Sequence, residues 1–123
     1  MSVAERVRWV IEQYAPGRDN AMAGDLVAAL AGSTPVYVRA VCSRLRADGW
    51  PVRSDHARSP SGYWWEVVDP VVQRRLPLEV QRAARRGELA RVRRHARRIA
   101  DEIEQARGAE QTAQAEARQE VLF

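Results

Sequence analysis

The chain has 123 residues, enough for one domain with an extension. Its apolar share, 46%, allows a small core, but no apolar run approaches the roughly 20 residues of a membrane span, and the amphipathic N-terminus lacks the apolar block of a signal peptide. Net charge is +4, and all twenty basic residues are arginine; the charge is unevenly placed, with residues 1–73 neutral, residues 74–98 carrying ten Arg against two acids, and residues 99–123 carrying two Arg against six acids.

Ser2-Val-Ala-Glu5 has the spacing of a capping box. Val3, Val7, Val10, Ile11 and Tyr14 then fall on one side of a first helix, which Ala15-Pro16-Gly17 stops. Trp9 lies off that side, toward the C-terminal segment or a second subunit, unless it is simply half exposed. A one-bridge strand is expected at Ala21-Met22. A second helix follows, about Ala23 to Ala31, anchored by Leu26, Val27 and Leu30, and Ala31-Gly32-Ser33 makes a tight turn.

The next stretch, Thr34 to Trp50, organises the chain. Thr34 suits the N-cap, Pro35 the first helical position and Gly49 the residue that ends the helix. Val38, Val41, Cys42 and Leu45 share one buried stripe. The opposite side carries Val36, Ala40, Ser43 and Ala47, flanked by Tyr37, Arg39, Arg44 and Arg46. A face small at its centre and basic at its edges can enter a DNA groove, although an ordinary solvated helix has the same look. Cys42, the only cysteine, is expected as a packed thiol in a reducing cytosol.

Past Gly49 the period changes. Trp50-Pro-Val-Arg53 and Gly62-Tyr-Trp-Trp-Glu-Val-Val68 read as two strands around a polar turn, a hairpin tipped by Arg53, His56 and Arg58. The expected fold is thus mainly α with a small β-hairpin: a winged helix-turn-helix over 1–68, then a long helical extension over 69–119.

On the Thr34 cap, Val38, Leu45, the Arg46-Ala-Asp-Gly-Trp50 run and the Gly62-Tyr63 strand opening, residues 20–68 resemble winged helix-turn-helix domains of the biotin-repressor N-terminal type, as in small phage- or actinobacterium-encoded regulators. The expected Leu-Gly-Val of the turn is replaced by Ala31-Gly32-Ser33. The resemblance implies that the second helix of the motif docks in the major groove and the hairpin touches backbone or minor groove.

In the extension, Asp69-Pro70 reads as a helix start, Leu76-Pro77 as an interruption with a new helix from Pro77, and Gly87 as a kink or split. Leu89, Val92, Ala96, Ile99, Ile103 and Ala106 then step by three and four, as in a dimerisation coiled coil; a long helix packing that stripe on its own domain fits equally well. Residues 120–123 resemble a scar left by removal of a purification tag.

The reading that follows is a sequence-specific, double-stranded DNA-binding regulator, dimeric and cytoplasmic. Thr34, Val36, Tyr37, Arg39, Ala40, Ser43 and Arg44 are expected at bases or nearby phosphates, Arg53 and Arg58 on the backbone, and Arg74, Arg75, Arg82, Arg85 and Arg86 as further phosphate contacts. The rival reading is a protein-interaction module, such as a phage protein that inhibits a host complex, with Trp9 or Trp64 on the partner surface. No Ser/His/Asp arrangement, paired carboxylates, phosphate-binding glycine loop or metal-ligand spacing is present to support an enzyme, a metal or a cofactor; His56 and His95 stand alone.

Overall fold

In the computed structural model, residues 2–66 and 76–122 are described, the side chains of 103, 107 and 120–122 excepted. Ser2 opens α1 (Val3–Tyr14): its Oγ accepts the Glu5 N–H at 3.1 Å and donates to Glu5 Oε1 at 3.3 Å. Val7, Val10 and Ile11 face the core and are fully buried. Trp9 is half-buried and meets Tyr14 edge-on, with ring centroids 5.5 Å apart.

A short 3-10 turn, Arg18–Asn20, leads to α2 (Gly24–Ala31). Leu30 and four other consecutive residues, Val27 to Ala31, are all buried. A helix buried all round sits between neighbours, and here those neighbours are α1, α3 and the last helix, α5 (Leu89–Leu122). The alanines admit them closely; Leu26 is only half-buried. Gly32, in the left-handed region at φ 66°, ends α2, and the Ser33 N–H returns to the Ala28 carbonyl.

The axis then turns by 96° into α3 (Pro35–Ala47). Thr34 Oγ1 accepts the Tyr37 N–H at 3.2 Å. Val38, Val41 and Cys42 are buried, and Leu45 partly so. Gly49 closes the helix at φ 91°, with Gly49 N–H to the Arg46 carbonyl and Trp50 N–H to that of Leu45.

Strands β1 (Val52–Asp55) and β2 (Gly62–Trp65) pair antiparallel, Val52 opposite Trp65 and Asp55 opposite Gly62. The first strand begins two residues later than its sequence suggests and extends to Asp55; Pro51 has no N–H to give a ladder. Val67 and Val68 lie outside the described residues. The other side of β2 is also paired: Met22 and Tyr63 exchange N–H···O bonds of 2.8 Å, and the Trp65 N–H reaches the Ala15 carbonyl at 2.7 Å. The single bridge expected near Met22 is therefore present, and β2 is the middle of three segments.

In the second described stretch, Pro77 precedes α4 (Leu78–Arg85), which buries Val80 and Ala83. The helix start at Asp69-Pro70 lies outside the described residues. Gly87, at φ 70°, splits α4 from α5. The apolar stripe of α5 turns inward: Val92 and Ile99 are buried in the core, Leu89 packs against it and Ala96 is half-buried. Val92 and Ile99 are thus spent within the chain, which is the packing on its own domain that the spacing allowed beside a coiled coil. The heptad spacing that matched a coiled coil also matches a helix laid along α2. Ala106 is exposed, and the Ile103 side chain lies outside the described residues. From residue 101 onward every described side chain of α5 up to 119 is exposed. No single helix among the described residues is long and apolar enough to cross a membrane.

Candidate nucleic-acid interface

Because the stripe Val38, Val41, Cys42 is held from below, the rest of α3 is presented outward. Val36 is 80% and Tyr37 44% exposed, and Arg39, Ala40, Ser43 and Arg44 are all exposed beside them. Among the described residues the Arg39 and Arg44 guanidiniums have no ion-pair or hydrogen-bond partner. They lie five residues apart, on either side of a small-residue centre formed by Ala40 and Ser43. Thr34 is exposed too, but its hydroxyl is engaged in the cap. Arg46 points elsewhere: its Nη1 donates to Ser54 Oγ at 3.2 Å, tying the end of α3 to β1.

The hairpin is braced from outside by a residue with no sequence signature. Arg18 donates to the carbonyls of Pro60 and Arg58, stands 3.6 Å from the Asp55 carboxylate, and lays its guanidinium 4.9 Å from the Trp64 ring centre. Asp55 also accepts the Ala57 N–H at 2.9 Å, and that bond, with Arg18 and Arg58 nearby, holds its carboxyl below the usual range. Trp64 is therefore buried, its Nε1 donating to Glu66 at 2.8 Å, and is not the exposed partner residue its sequence position suggested. Arg53 and Arg58 are exposed, Arg53 donating to the Val52 carbonyl. His56 packs edge-on against Tyr63.

Next to this surface lies Trp50, 40% exposed, with the Arg8 guanidinium 4.7 Å from its ring centre. Arg82 and Arg85 are exposed on α4, and Arg86 at its C-cap. Arg74 and Arg75 lie outside the described residues. Cys42 is buried, and burial pushes its thiol up to about 11. Among the described residues no three His, Cys, Asp or Glu side chains gather as a metal site would require.

Comparison with family models, with curated proteins and with solved structures returned no match to this chain.

Proposed function

We propose that the chain is a winged helix-turn-helix protein that binds double-stranded DNA sequence-specifically and regulates transcription in a cytoplasm. The observation that carries this reading is the outward face of α3, where unpartnered Arg39 and Arg44 flank Ala40 and Ser43 on a helix whose opposite stripe is buried. The 96° turn from α2, made through a glycine-bearing connection, is within the range of helix-turn-helix units. In this reading α3 enters the major groove. Arg39 or Arg44 reads guanine, and Val36 and Ala40 meet thymine methyl groups. Arg53 and Arg58 rest on the backbone, with Arg85 as a further phosphate contact. The partner is a second copy of the chain, met through the exposed part of α5 past residue 100, since Val92 and Ile99 are already buried.

Selection of bound sequences from a random duplex pool tests this. A recovered motif, doubled at about 34 Å for a dimer, supports it. No retardation of any duplex at micromolar protein and low salt overturns it.

One observation favours a second reading, a winged-helix protein-interaction module such as a phage inhibitor of a host complex. Val36 and Tyr37 place exposed apolar surface at the start of α3, and residues 1–73 carry no net charge. Exposed apolar patches suit protein partners.

A further inference from the structure

Between α4 and α5 lies an open cleft of about 410 Å³ whose lining includes Glu79 and Arg82 from α4, Arg86 at its C-cap, and Arg91, Arg94 and His95 from α5. We infer that this cleft binds a compact anion bearing two phosphoryl groups, of the pyrophosphate or nucleoside diphosphate class. The inference does not depend on α3 entering a groove.

Charge is the first argument. Four arginines line the cleft with one carboxylate, Glu79, and Glu88 stands beside it, so four positive charges meet two negative ones. Glu79 is turned to His95, at 3.8 Å, and the neighbouring Glu88 to Arg91, at 3.4 Å. Among the described residues Arg82, Arg86 and Arg94 have no carboxylate partner. Their spacing compounds this: Arg82 and the C-cap residue Arg86 lie four apart at the end of α4, Arg91 and Arg94 three apart on α5, which are the separations at which like charges repel. Each phosphoryl group brings about −1.5 to −2 charges, so two of them match the three arginines that have no carboxylate partner.

Shape is the second. Small-molecule sites usually occupy roughly 300–1,000 Å³, and this cleft falls in that range. A duplex offers a convex cylinder to arginines spread along a ridge. Here arginines from two adjoining segments line one concavity, with Ala83 adding little bulk to its wall. Forked guanidiniums hold phosphate oxygens in pairs. An anion seated between Arg82 and Arg94 would fasten α4 to α5, and α5 packs on α2.

The test is thermal unfolding of the full chain titrated with inorganic pyrophosphate, against sodium chloride of equal ionic strength, beside the double variant R82Q/R94Q. Both side chains belong to residues outside the core, so the variant should fold, and the relief of repulsion should leave its ligand-free Tm equal to or above that of the native chain. The expected result is a saturable rise of several degrees in the native chain, with one ligand per chain by calorimetry, and none in the variant. R39A/R44A should keep the rise even if it loses duplex binding, which separates this site from α3. No rise beyond the chloride control, or a rise retained in R82Q/R94Q, overturns the inference. So does a variant that loses duplex affinity while pyrophosphate fails to bind the native chain, because the arginines then serve the duplex.

Discussion

A Cβ placed on Gly62 would stand 2.0 Å from the carbonyl oxygen of Met22. The position also lies at φ 128°, where side chains are strained whatever the space. Gly62→Ala therefore combines backbone strain with a collision against backbone that is itself hydrogen-bonded to β2. The expected loss is about 3 kcal/mol or more, read as a lower denaturation midpoint. Gly49→Ala is the control: φ is 91° but nothing lies within 4 Å, so strain alone, about 1–2 kcal/mol, should appear. Equal losses at both sites would mean that the contact with Met22 has no weight.

Arg18→Ala removes every strut between the 3-10 turn and the hairpin loop at once. Arg18 is partly exposed, at 28% of its side chain, so the expected cost is modest, about 1–2 kcal/mol. Proteolysis within residues 56–61 should accelerate more than global stability falls. Arg18→Lys should not restore protection, because an ammonium cannot serve two carbonyls and a ring together.

Asp55 gives the molecule an acid-sensitive component of known sign. Its folded carboxyl is held below the ordinary 3.8, chiefly by the Ala57 N–H and then by further backbone and arginine contributions. The stability it contributes is present above 3.8 and fades as pH falls through its lower folded value. Asp55→Asn should flatten that part of the acid-unfolding curve; an unchanged curve would remove Asp55 from the account.

Cys42 behaves in the opposite sense. Its folded thiol, at about 11 against an ordinary 9.0, favours the neutral form. The linked stability is complete below 9.0 and is lost as pH rises through 11. At pH 8 the thiol should resist alkylation until the chain unfolds. Labelling at the rate of a free thiol under native conditions would contradict the packing of α3.

On duplex DNA, Arg39→Ala or Arg44→Ala should cost about 1–3 kcal/mol and relax one base position, if that arginine reads guanine. Uniform weakening on all sequences would reassign it to phosphate. With about five phosphates engaged, log affinity should fall against log salt with a slope near −4 to −5.

Local chemistry was the readable part of this chain. Ser2 with Glu5, Thr34 with Pro35, and Gly49 announce the helix ends because a cap involves only neighbours. The outward face of α3 was readable for the same reason: a stripe such as Val38, Val41, Cys42 fixes which side is left over. The destination of α5 was not, since a three-four spacing is the same whether the groove belongs to this chain or to another. The unbroken apolar run Leu26–Ala31 did hold a clue, because a helix buried on every side needs a further neighbour. Trp64 was misplaced because nothing in an isolated arginine four residues past the end of α1 marks Arg18 as the side chain that covers it.

The pairing of β2 on both flanks has a bearing on solubility. Gly62-Tyr-Trp-Trp65 is the segment best suited to recruit another molecule into a growing cross-β stack, yet its backbone groups are engaged by β1 on one side and by residues 15–22 on the other. The free margin of the sheet belongs to β1 instead: four residues, preceded by proline and bearing Arg53 and Asp55. A short, charged rim of that kind discourages edge-to-edge aggregation, so clumping of this protein should begin only after the contacts at Ala15 and Met22 have opened.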